Sequence, residues 1–182
     1  MDYFSVVRHS ATNTIHLFLA VKGILHFTSK DGGESWHGPT ELTGPAPWPH
    51  APTVGHAIEL ASGALVVPAC CSAGSCALIS VDGGKTWTVG GFGVKGSRES
   101  SIAEIDCGAL IQRGNSTGDG VASSSCLYIN ARNMNKNAGG TPHGRFEAAS
   151  TNGGISWTNM TLSTTLSTPV TPHCTFEKKC PL

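Results

Sequence analysis

One eight-residue pattern occurs three times in this 182-residue chain and constrains its fold more than any other feature. It reads Ser-x-Asp/Asn-Gly-Gly-x-Ser/Thr-Trp and stands at residues 29–36, 80–87 and 150–157. Asp31, Asp82 and Asn152 are spaced by 51 and 70 residues, and Trp36, Trp87 and Trp157 are three of the chain's four tryptophans. Repetition at such a period marks an architecture assembled from copies of one supersecondary unit. Asp or Asn followed by two glycines supplies the positive-φ positions of a two- or three-residue hairpin turn. The Asp31 and Asp82 carboxylates can accept bonds from the turn's own N–H groups, and the Asn152 amide oxygen can do so without charge. The closing tryptophan lies on the outgoing strand, where its ring is expected to be buried against neighbouring strands. These six residues are therefore read as structural.

The flanking sequence agrees with an all-β chain. Short apolar runs at residues 15–19, 25–27, 77–79 and 146–150 precede the repeats. Runs at 57–60 and 64–68 flank the turn Ala61-Ser62-Gly63, runs at 101–105 and 109–112 flank Asp106-Cys107-Gly108, and 127–131 adds another. No stretch of a dozen residues has helical periodicity. Regular short strands with a Gly-rich motif in each unit predict a β-propeller of four-stranded blades. Charged residues make up 13% of the chain, about half the usual share, as a glycine-rich turn protein would have. Twelve Lys and Arg balance twelve Asp and Glu, so no basic excess exists for nucleic acid or an anionic membrane. The apolar runs are too short for a membrane span, and residues 1–9 show no signal-peptide pattern.

The seven cysteines are an odd number, and none has the paired spacing of a zinc site. Cys70, Cys71 and Cys76 read as small apolar residues on a strand, with a metal cluster as the alternative. No metal and no cofactor is expected. Asn115-Ser116-Thr117 and Asn159-Met160-Thr161 are glycosylation sequons, relevant only in a secretory pathway; the compartment is open.

The repeats resemble the Asp boxes of the sialidase (neuraminidase) family, and the segments between them extend the likeness. The stretch Gly55-His56-Ala57-Ile58-Glu59-Leu60, turning through Gly63-Ala64-Leu65 into Val67-Pro68, resembles the family's Gly-Ile-Gln-Leu strand with its Gly-Arg-Leu and Val-Pro. Arg98-Glu99-Ser100-Ser101-Ile102-Ala103-Glu104 resembles its Asn-Glu-Ser/Cys-x-Val-x-Glu strand, and Tyr128-Ile129-Asn130-Ala131-Arg132 its Leu-Asn-Ala-Arg strand. The resemblance implies a six-bladed propeller and removal of terminal α-linked sialic acids from glycoproteins, glycolipids or oligosaccharides. It implies that Glu99 takes the proton of a tyrosine nucleophile. It also implies that Arg132 is one of three arginines clamping the sugar carboxylate, a bidentate task that Lys cannot copy.

The chain departs from that family in instructive ways. The family's first arginine and acid Asp stand in a Phe/Tyr-Arg-Ile-Pro context upstream, whereas residues 1–28 hold only Arg8 and Asp2. The nucleophilic tyrosine and third arginine lie downstream, whereas the tyrosines here are Tyr3 and Tyr128, and neither fits that order. Arg98 replaces the family's Asn and could pair with Glu99. Arg145 could reach a ligand, although an ordinary strand role is the simpler reading. Six blades of roughly 60 residues need roughly 360. The expectation is therefore residues 1–182 as one partial propeller domain of about three blades, with 161–182 a poorly matching tail. It would have little activity alone and would self-associate through open edges. The alternative is a non-catalytic glycan- or protein-binding propeller module.

Overall fold

The computed structural model describes residues 3–54, 56–108, 125–135 and 144–166. Its strands form three antiparallel meanders. The first blade contains β1 (Phe4–His9), β2 (Thr14–Ala20), β3 (Ile24–Ser29) and β4 (His37–Leu42). The second contains β5 (Ala51–Pro52), β6 (Ile58–Glu59), β7 (Leu65–Cys71), β8 (Gly74–Ser80) and β9 (Thr88–Val89), with both β5 and β6 pairing on β7. The third contains β10 (Ser97–Asp106), β11 (Ser125–Asn133), β12 (Arg145–Ser150) and β13 (Thr161–Leu162). This is the propeller-blade architecture expected from the repeat, in a partial copy. Residues 161–166 of the expected tail include the outer strand of blade three, and the expected run at 109–112 lies outside the described residues.

Each repeat joins the third and fourth strands of its blade. The connection is longer than the two- or three-residue hairpin expected from Asp/Asn-Gly-Gly, because side chains and not a tight ladder build it. Ser80 Oγ accepts from Gly84 N at 2.8 Å and donates to Asp82 Oδ1 at 2.8 Å. Asp82 in turn accepts from Thr86 N at 2.9 Å and from the Thr86 hydroxyl at 2.6 Å. Ser29, Asp31 and Ser35 repeat the arrangement, as do Ser150, Asn152 and Ser156. The bonds from Thr86 and Ser35 hold the Asp82 and Asp31 carboxyls well below the usual carboxylate range.

The serine hydroxyls carry different weights. Gly84 and Gly154 donate from buried positions, whereas Gly33 is only half-buried. An unsatisfied buried N–H costs about 1–3 kcal/mol. Ser80→Ala and Ser150→Ala are therefore expected to lower stability by about 2 kcal/mol each, and Ser29→Ala by less than about 1. Urea unfolding checks the ranking; equal losses at all three sites would contradict it.

The blades stack through apolar faces. Val7, Phe18 and Ile24 of blade one meet Leu65, Val67 and Leu78 of blade two. Val66, Ala77 and Ile79 on the other face of blade two meet Ile102, Leu127, Ile129 and Phe146 of blade three. Two of the repeat tryptophans, Trp87 and Trp157, pack back on the preceding blade. Trp87 meets Phe18 edge-on, ring centroids 5.1 Å apart, and Trp157 packs into the cluster between blades two and three. Trp36, expected to be buried, is instead 40% exposed, because no preceding blade stands beside it among the described residues. Gly90 and Gly91 let the backbone of blade two touch the third repeat turn, where Gly91 N donates to Gly154 O at 3.1 Å. A Cβ on Gly90 would collide with that carbonyl.

A glutamate staple also recurs between blades. Glu59 accepts from Ser10 N at 2.9 Å in the β1–β2 turn, and Glu104 accepts from Ala61 N at 3.0 Å in the β6–β7 turn. Glu104 therefore has a structural task between blades.

The cysteines correct the sequence expectation. Cys71–Cys76 bridges the β7–β8 hairpin and Cys107–Cys126 ties the end of β10 to the start of β11. Cys70 is a buried free thiol, and no metal-binding cluster exists among the described residues. Each bridge joins a cysteine to one two residues away from its direct cross-strand partner, a placement that linear spacing does not reveal.

Candidate active site

The first strands of the blades converge where Glu99 lies. Thr53, directly after β5, donates its hydroxyl to the Ser100 carbonyl of β10 at 2.6 Å. Tyr3, just before β1, is held by the Ala20 N–H on its carbonyl at 2.9 Å.

Glu99 owes its orientation to a bulge. In the β10–β11 register Arg98 faces Arg132 and Ser100 faces Ala131, leaving Glu99 as the extra residue. Its φ is 44°, a left-handed conformation that costs a non-glycine residue on the order of 1 kcal/mol or more. Bulges re-aim side chains and are common beside functional sites. Here the carboxylate meets two donors. Arg132 Nη1 donates to Oε2 at 2.7 Å, and the Tyr3 phenol donates to Oε1 at 3.1 Å. Burial raises the Tyr3 pKa, and the bond to Glu99 raises it further, so the phenol is a neutral donor at neutral pH.

A row of arginines crosses the sheet beside Glu99. Arg98, Arg132 and Arg145 are direct cross-strand partners in succession over β10, β11 and β12. Like charges directly opposite one another destabilise a sheet, so such a row favours an anion beside it. Arg98 lies against His50 Nε2 at 3.4 Å and not on Glu99. The alternative of an Arg98–Glu99 pair is not realised: Arg98 is on His50, and Glu99 is held by Arg132 and Tyr3. Arg145 Nε donates to Asn130 Oδ1, and the Tyr128 phenol donates to Glu147 Oε2 at 2.8 Å. Burial lowers the Arg145 pKa while Glu99 opposes that effect; a guanidinium remains charged in either case.

The sequence profile of the BNR repeat-like domain matches residues 5–172. The chain belongs to the BNR repeat-like domain family. Solved structures share the fold of this BNR repeat-like chain. The Hadza microbial sialidase Hz136 is 20% identical over 92% of this chain and 34% of that one, with a TM-score of 0.68. A protein of unknown function from Dyadobacter fermentans is 18% identical over 91% of this chain and 51% of its own, with a TM-score of 0.64. The leech intramolecular trans-sialidase is 20% identical over 85% of this chain and 20% of its own, with a TM-score of 0.56. At such identities the likeness is one of fold, and the chain spans less than two thirds of each of these structures. No curated protein matches the sequence.

The BNR repeat-like fold thus places Glu99 and Arg132, singled out from sequence, in direct contact. It also adds two residues that sequence reasoning set aside. Tyr3 looked misplaced because linear order puts it before every repeat, yet the curve of the blades carries residue 3 onto residue 99. Arg145 looked like an ordinary strand residue; the one usable signal was its position five residues before Ser150 of the third repeat, which fixes its register opposite Arg132. Asp31, Trp36, Asp82, Trp87, Asn152 and Trp157 all lie in the repeat connections and not at Glu99.

Proposed function

We propose that the chain forms the glutamate-arginine side of a sialidase-type site that takes terminal α-linked sialic acids of glycoconjugates. The complete propeller to which such blades belong would hydrolyse the glycosidic bond without metal or cofactor. The observation that carries this reading is the Arg132–Glu99–Tyr3 contact, set beside the row of three arginines. A sugar carboxylate offers two oxygens in one plane, which a guanidinium meets bidentately. A phenol bonded to a carboxylate is the pairing that a tyrosine nucleophile needs, because the carboxylate can take its proton during attack.

Among the described residues no aspartate stands at Glu99 as an acid for the leaving group. The described aspartates are Asp31, Asp82 and Asp106. The first two are engaged in repeat connections, and Asp106 lies seven residues along β10 from Glu99, roughly 23 Å of extended chain. The arrangement of the described residues supports recognition without efficient turnover, and it favours glycan binding as the second reading. The purified chain is expected to release no 4-methylumbelliferone from its sialoside above background. Measurable release that disappears in Glu99→Gln would overturn the claim of inactivity and make the second reading untenable.

A further inference from the structure

We propose that Asn159 is an N-glycosylation site and that the chain matures in an oxidising secretory compartment. Two independent observations support this. The first is the pair of disulfides, Cys71–Cys76 and Cys107–Cys126; structural disulfides form and persist in oxidising compartments. The second is how the fold presents Asn159-Met160-Thr161. The three residues alternate: Asn159 is exposed, Met160 is buried in the cluster between blades two and three, and Thr161 is exposed on β13. Both sequon side chains that an oligosaccharyltransferase reads therefore point away from the core, and a glycan there displaces no packing.

The position also gives the glycan a physical task. β13 is the outer edge of its sheet, and free edges are sites of unwanted strand pairing. Ile155, Leu162 and Leu166 are 67%, 51% and 42% exposed beside it in sequence. A bulky hydrophilic chain on Asn159, two residues before β13, would stand beside that edge. In the transfer step, Asn159 Nδ2 forms a bond to C1 of a lipid-pyrophosphate-linked oligosaccharide. The C1–O bond to the pyrophosphate breaks, the lipid pyrophosphate leaves, and one Nδ2 proton is released.

The test is to secrete the full chain from a eukaryotic cell behind a cleavable leader and map its peptides before and after PNGase F. The expected result is a glycan on Asn159 in the majority of molecules, with both disulfides intact in the same digest. Asn159→Gln and Thr161→Ala should each remove that glycan, whereas Thr161→Ser should retain it. A secreted chain with Asn159 unmodified, or with either disulfide absent, would overturn the proposal. Sugar confined to Asn115, which lies outside the described residues, would overturn it equally.

Discussion

Arg132→Lys is expected to weaken binding of N-acetylneuraminic acid about 30-fold, the equivalent of about 2 kcal/mol. A lysine keeps the positive charge near Glu99 and so preserves the blade, but it cannot reproduce the planar fork that meets a carboxylate. Tyr3→Phe removes one hydrogen bond to Glu99, at 3.1 Å the longer of the two, and is expected to weaken binding less than about threefold. Titration by NMR or calorimetry gives both numbers, and a thermal melt within a few degrees of the parent confirms a folded variant. If Arg132→Lys and Tyr3→Phe had the same small effect, the carboxylate would have to bind away from Arg132.

Acid should unfold the chain in a window set by two histidines. His16 and His26 are 2% and 7% exposed, stack with their ring centroids 5.2 Å apart, and share a hydrogen bond of 2.9 Å between Nδ1 and Nε2. One nitrogen must donate and the other accept, which requires the accepting ring to be neutral. Phe18 and Trp87 enclose the pair from β2 and the second repeat. His9 of β1 lies close enough to disfavour charge on His16, and Glu59 of β6 approaches His9 at 3.9 Å. Burial lowers both pKa values from 6.5 to about 4.

The unfolded chain therefore binds more protons than the folded one between those values, so stability falls as pH drops from about 6.5 to about 4. The full loss is about 3 kcal/mol for one such histidine, and the shared bond makes the two losses non-additive. Above about pH 7.5 the pair has no effect. Asp31 and Asp82, whose pKa values are lowered below 3.8 by their turn bonds, lose their contribution only at still lower pH. Urea midpoints at pH 7.5, 5.5 and 4 should thus fall in steps before the carboxylates titrate. Unchanged midpoints down to pH 4 would mean that the histidines are already charged or exposed in the fold.

Much of the fold was legible because its signals are local. Ser-x-Asp-Gly-Gly specifies its connection through bonds within a few residues, and the short apolar runs at 15–19, 25–27, 77–79 and 127–131 each fall inside a strand. Strands β4, β9 and β13 escaped because edge strands are polar and short: His37–Leu42 is exposed along nearly its whole length. The disulfides escaped because Cys107 and Cys126 meet across a sheet. For the site, Glu99 and Arg132 were legible because each sits in a motif of its own strand. Tyr3 and Arg145 were not, because one depends on blade curvature and the other on cross-strand register.

Recognition of a sugar carboxylate by this arginine row is what the proposed function requires. It is tested most directly by titrating the full chain with methyl α-sialoside and, in parallel, with the same glycoside whose carboxylate is blocked as a methyl ester. The free acid should bind saturably and the ester at least about tenfold more weakly, a difference of about 1.4 kcal/mol. Equal binding of the two, or no binding of the acid at millimolar concentration, would contradict the account.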